Sequence, residues 1–122
     1  MSLYDEIGGK IAVDAAVNIL YTRLLNDKKT SHFFAGMEVA KQRMKMRLFL
    51  TYALGGAAEY NGKDLRSSHA HLNLTDKDFD NVGGHIKATL EELSVPGHLV
   101  DKILTVVETT RDDVLNRAAS AA

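Results

Sequence analysis

Residues 11–25 read Ile-Ala-Val-Asp-Ala-Ala-Val-Asn-Ile-Leu-Tyr-Thr-Arg-Leu-Leu. Val13, Ala16, Val17, Leu20, Tyr21 and Leu24 fall at steps of three and four, the repeat of one face of an α-helix. A strand would need alternation at every second position, and no stretch of the chain sustains it. Gly8-Gly9 separates this helix from a short one around Leu3–Ile7, and Asn26-Asp27 ends it. The same period returns from Val39 to Leu54, closed by Gly55-Gly56. A loop with an Asn61-Gly62 turn follows. Thr75 opens a third long helix, its hydroxyl capping free amides, with Phe79, Val82, Ile86, Leu90 and Leu93 as the inward stripe. Gly83-Gly84 inside that helix costs about 1 kcal/mol per glycine, which close helix–helix approach would offset. Pro96 suits the first turn of a last helix, whose apolar face is Leu99, Val100, Ile103, Leu104, Val107, Val114 and Leu115. The expected fold is all-α, one domain over residues 1–122, with residues 118–122 a frayed tail.

Composition narrows the function. A chain of 122 residues buries roughly two-thirds of its unfolded surface, enough for one core. The formal net charge of -1 leaves no basic excess to meet phosphates, so nucleic acid is not an expected partner. No apolar run approaches the roughly 20 residues of a membrane span. The opening Met-Ser-Leu-Tyr-Asp lacks the basic and apolar regions of a signal peptide, so a cytoplasmic address is expected. Cysteine is absent, which excludes disulfides, thiolate nucleophiles and iron–sulfur clusters.

The residues able to carry chemistry lie on four successive segments. Tyr21 sits on an apolar face, and Phe33-Phe34 close the next segment. Gln42, Lys45, Met46, Phe49, Leu50 and Ala53 share one helix face. His69 follows the glycine-punctuated loop. Taken singly, Tyr21, Phe33, Phe34, Phe49, Leu50 and Ala53 are ordinary core residues. Met46 fills gaps, and Gln42 and Lys45 face solvent. There are five histidines and no His-Glu-x-x-His pattern, so zinc hydrolysis has no support. His69 and His71 are two apart and do not share a helix face, and periodicity does not choose between them. Together, a histidine opposing a polar–apolar helix face with aromatics between suits a flat iron cofactor.

The ordered set resembles the group I truncated haemoglobins nearly end to end. The likeness is carried by Leu3-Tyr4-Asp5-Glu6-Ile7-Gly8-Gly9, by Phe49-Leu50-Thr51-Tyr52-Ala53-Leu54-Gly55-Gly56, by Gly62-Lys63-Asp64-Leu65-Arg66 and by Arg111-Asp112-Asp113-Val114-Leu115-Asn116. The resemblance implies a two-over-two helical sandwich around a haem, with the Gly8-Gly9 and Gly55-Gly56 pairs as hinges that let a short chain wrap it. It makes His69 the proximal iron ligand rather than His71. It makes Phe34 the aromatic packed on the haem face beside Phe33, and Tyr21 the distal donor to a bound gas, supported by Gln42. The cofactor wall it implies comprises Phe33, Phe34, Gln42, Lys45, Met46, Phe49, Leu50, Leu65, Arg66, His69, Leu72, Phe79, Val82 and Ile86.

Several positions depart from relatives. Met46 stands where many have glutamine, and a thioether donates no hydrogen bond, so the network leans on Tyr21 and Gln42. Lys45 stands where some cyanobacterial and algal relatives carry a histidine or lysine that binds iron. Elsewhere a lysine here pairs with a haem propionate. A neutral amine ligates and an ammonium does not, which makes Lys45 a conditional ligand, with propionate pairing favoured at neutral pH. Thr110 aligns with a histidine that bonds a haem vinyl group in some relatives, and threonine cannot, so non-covalent haem b is expected. Leu50 replaces a gating phenylalanine of certain mycobacterial relatives, while Val82, Ile86 and Leu90 leave an apolar tunnel open. The implied function is reversible binding of oxygen and other diatomic gases by a monomer. The alternative is a nitric oxide dioxygenase drawing on an external reductase, since no glycine-rich loop here fits a dinucleotide. A haem-free helical interaction module is the third reading, and an absorption spectrum separates it from the others.

Overall fold

In the computed structural model, residues 2–58 and 64–117 are described, and every regular element among them is helical. The long helices are α2 (Gly9–Asn26), α4 (Val39–Ala53), α6 (Asp76–Glu92) and α7 (Gly97–Glu108). Shorter ones complete the chain: α1 (Leu3–Ile7), α3 (Lys28–Ser31), α5 (Leu65–His69) and α8 (Arg111–Val114), with single 3₁₀ turns at His32–Phe34 and Ala70–Leu72. The Asn61-Gly62 turn and the tail at 118–122 lie outside the described residues.

The local chemistry explains these boundaries. Gly8, at φ 117°, is the left-handed stop of α1, a conformation that costs a side chain dearly. Thr75 caps α6 in a reciprocal box: its hydroxyl accepts from the Asp78 amide at 3.2 Å, and the Asp78 carboxylate accepts from the Thr75 amide at 3.0 Å. The expected last helix divides in two. α7 stops at Glu108, the chain turns through Thr109-Thr110, and α8 restarts at Arg111. Both threonine hydroxyls donate to carbonyls three residues back, Thr109 to Val106 and Thr110 to Val107, competing with the helical pattern there.

Tyr21 donates to the Gln42 carbonyl near the start of α4, while Asp14 and Asn18 meet Arg47 further along it. α2 and α4 therefore run antiparallel. α2 also packs on α6, and α6 on α7. Val13, Val17, Tyr21, Leu54, Leu90, Val100 and Ile103 form the buried core between them. His85 of α6 reaches Asp27, the cap of α3, at 2.7 Å and ties that turn to the bundle.

Within the glycine pairs, Gly56 has a steric task of its own. A Cβ on Gly56 would stand 2.5 Å from the Tyr4 ring, and one on Gly9 would touch the same ring at 3.7 Å. The Tyr4 amide donates to the Leu54 carbonyl at 2.9 Å. Gly56 clears a slot in which Tyr4 docks α1 onto the end of α4. At Gly83 and Gly84 an added Cβ would meet nothing within 4 Å, so close helix approach does not explain them.

Candidate functional site

His69 is the last residue of α5, a helix begun by Asp64. The Asp64 carboxylate accepts from the Arg66 amide at 2.9 Å and the Ser67 amide at 3.3 Å. The His69 ring is half-buried, and its Nδ1 lies 2.7 Å from the Leu65 carbonyl oxygen. A carbonyl only accepts, so Nδ1 carries the proton and donates. Nε2 is left with its lone pair. Burial pushes the imidazolium form down in pH, which also favours the neutral ligand state. His71, on the following 3₁₀ turn, is exposed. The structure thus supplies a reason to prefer His69 that spacing did not contain.

Tyr21 is 4% exposed and packs edge-on against Phe34, ring centroids 5.5 Å apart at 65°. Its hydroxyl donates to the Gln42 main-chain carbonyl at 3.3 Å, a long contact. Burial raises its pKa to about 12, with the Arg43 cation acting weakly the other way, so the hydroxyl keeps its proton at neutral pH. Gln42 and Met46 are half-buried beside it on α4, and Met46 and Leu50 pack on the core with Phe34. Phe49 is half-buried on the same face. Lys45 is exposed at the solvent edge of that face.

Other expected wall residues have more specific settings. Phe33 stacks obliquely on His32 at 4.0 Å rather than on the core. Phe79 carries the Arg111 guanidinium over its ring at 4.4 Å, and Arg66 turns its guanidinium to Asp113 and the Arg117 carbonyl. Leu65, Leu72 and Val82 are half-buried. Ile86, Leu50 and Leu90 line a small apolar cavity, which Val82 does not reach. Asp64, Asp113 and Arg111 hold the site together although no chemistry assigned to them drew attention; the Asp-x-x-Ser cap at 64–67 was the available signal.

A histidine with a free ring lone pair, a buried tyrosine hydroxyl and a half-buried apolar wall fit a haem. The family model for bacterial-like globins matches residues 2–116. A group 1 truncated haemoglobin of Synechocystis is 40% identical over 122 residues, covering 95% of this chain and 98% of that protein. The chain belongs to the group 1 truncated haemoglobins. A second member, from Chlamydomonas moewusii, is 45% identical over 94% of this chain and 68% of its own length. The crystal structure of the 2/2 haemoglobin of Synechococcus, in the cyanomet state with covalently attached haem, superposes with a TM-score of 0.93. It is 39% identical and covers 96% of this chain and all, 100%, of that one. The Fe(III) truncated haemoglobin of Tetrahymena pyriformis gives 0.90 at 35% identity, covering 94% and 98%. The truncated haemoglobin described here is therefore a two-over-two helical sandwich, a haem protein of a family that binds diatomic gases. Among its described residues no helix is long and apolar enough to cross a membrane.

Proposed function

We propose that this globin binds dioxygen reversibly at a non-covalent haem b, with His69 as proximal ligand and Tyr21 as distal donor. The observation that carries the reading is the 2.7 Å bond from His69 Nδ1–H to the Leu65 carbonyl. It fixes the ring tautomer and orientation and directs the Nε2 lone pair outward as the ligand atom. The haem supplies an iron with an open position for a diatomic gas. On the opposite side, Tyr21 holds a proton in a buried setting, where a donor aimed at developing negative charge is worth most. The Gln42 amide assists from α4, and Met46 contributes packing without a hydrogen bond. Thr110 offers a hydroxyl already donated to Val107 and no nucleophilic ring nitrogen, which supports non-covalent retention.

The deciding experiment compares His69→Ala with His71→Ala. His69→Ala should purify without stable haem at neutral pH, whereas His71→Ala should keep the wild-type spectrum, oxidised and reduced. Acid–organic extraction of wild type should leave the polypeptide colourless. Haem retained by His69→Ala and lost by His71→Ala would reverse the assignment. No arrangement among the described residues favours nitric oxide turnover over plain binding.

A further inference from the structure

We propose that Arg66 is a positioning residue that straps the proximal helix α5 to α8 and thereby sets the stance of His69. The proposal rests on His69 being the proximal ligand. α5 has only five residues, none of them fully buried, and a helix that short does not hold itself in water. Its place must come from outside. The Asp64 cap fixes its first turn, and Arg66 fixes its side. Arg66 Nε donates to Asp113 Oδ1 at 2.9 Å, and Nη2 donates to the Arg117 carbonyl at 2.6 Å. Arg66 lies three residues before His69, so both side chains sit on neighbouring parts of one helix surface.

α8 is a four-residue helix and needs its own anchor. Arg111 supplies it. Its guanidinium donates to Asp76 at 3.0 Å and Asp80 at 2.5 Å on α6, donates to Glu108 at 2.6 Å at the end of α7, and lies over Phe79 at 4.4 Å. Arg117 adds a second tie to Asp76 at 2.8 Å and one to Asp112 at 3.3 Å. The result is a mechanical series: α6 holds α8 through Arg111 and Arg117, α8 holds α5 through Arg66, and α5 carries His69. The Arg66–Asp113 pair is half exposed, so its effect on overall stability is small. Its effect on orientation is larger, because among the described residues α5 packs mainly on α8 and on its own following turn, and a bidentate grip on one carboxylate and one carbonyl leaves the arginine one geometry. A haem propionate would compete for the same guanidinium. The two roles make different demands on Asp113, a carboxylate that a propionate would repel rather than bind.

The test uses the haem-loaded ferrous protein and four variants: Asp113→Asn, Asp113→Glu, Arg66→Gln and Arg66→Lys. The readouts are the iron–histidine stretching band by resonance Raman and amide hydrogen exchange across α5. Asp113→Asn and Arg66→Gln should each shift or broaden the band and speed α5 exchange by roughly two- to fivefold, the range of one exposed ion pair. Asp113→Glu should restore both toward wild type, and Arg66→Lys should fall between. Raising salt should move wild type in the direction of Asp113→Asn. If Asp113→Asn leaves band and exchange unchanged while Arg66→Gln alters them, Arg66 serves the propionate and the strap is refuted. If neither variant changes either readout, the strap is refuted outright. Failure of the underlying reading is seen separately, as an iron–histidine band that survives His69→Ala.

Discussion

Tyr21 is a core side chain that the proposed function also gives a role at the iron. Its ring is core, packed on Phe34, and among the described residues its hydroxyl makes a single long bond, 3.3 Å, to the Gln42 carbonyl. Under the proposed function, that weakly held proton is the one offered to a gas ligand. Removing one hydrogen bond to a charge-bearing acceptor costs roughly 1.5–3 kcal/mol, or about ten- to a hundredfold in rate. Oxygen should leave Tyr21→Phe faster on that scale in stopped-flow replacement by carbon monoxide, and an unaltered rate would assign the role to another group. The same variant has a pH prediction. Tyr21 keeps its proton to about pH 12 when folded, against 10.0 for the ordinary group. Between those values the unfolded chain releases a proton that the folded chain retains, so folding loses stability as pH rises through the window. The benefit is complete below pH 10 and gone above 12, roughly 2–3 kcal/mol in all. Denaturant melts of Tyr21→Phe should lack this portion of the alkaline decline. The inward setting of Tyr21 was legible in the repeat of residues 13–24. The different settings of His69 and His71 were not, because what separates them is a carbonyl four residues back and a change from α to 3₁₀ turn.

At the scale of elements, the long helices announce themselves and the short ones do not. α2, α4 and α6 end within two residues of where periodicity, Gly-Gly pairs and the Thr75 cap place them. α3, α5 and α8 have four or five residues each, too few for an apolar repeat, and owe their form to caps and tertiary ties. The break between α7 and α8 carries neither glycine nor proline, and Val107, Val114 and Leu115 continue the apolar rhythm across it. Only the threonine back-bonds reveal the stop. The Gly55-Gly56 pair was visible, yet its purpose lay in Tyr4, some fifty positions away in sequence. Gly55, at φ 87°, serves the backbone turn, and Gly56 serves the Tyr4 ring. Gly56→Ala would put a methyl 2.5–2.7 Å from three ring atoms near the rigid base of that side chain. Relief requires α1 to lift from α4, at an overpacking cost of about 1–3 kcal/mol. The melting temperature should fall by several degrees, and the Tyr4 amide should exchange faster. A variant as stable as wild type would mean that the slot is looser than this contact implies.

Across the whole molecule, the core closes around a small void. Ile7 of α1, Val13, Ala16 and Leu20 of α2, Leu50 and Leu54 of α4, Ile86, Thr89 and Leu90 of α6 and Ile103 of α7 line a cavity of about 30 Å³. Thr89 donates its hydroxyl to the His85 carbonyl at 2.8 Å, so its polar atom is already satisfied. A water there would find none of the two to four partners it needs, and the space is dry. An apolar diatomic gas needs no such partners. Leu20 and Leu50 line this void next to Tyr21 and the α4 face that carries Gln42 and Met46, so under the proposed function it is a candidate stopping place for gas on its way to the iron. Ala16 lines the void and is itself buried at 8% exposure, which makes it the position to fill. Ala16→Val adds two methyl groups in a helix that tolerates them. Filling a void this small with two methyl groups should cost roughly 1–3 kcal/mol of stability. After flash photolysis, slow rebinding from solvent should weaken relative to wild type, while Tyr21-dependent retention of oxygen stays the same. Entry rates that match wild type in a variant whose cavity is demonstrably filled would mean that gas reaches the iron by another path and that the void is only imperfect packing.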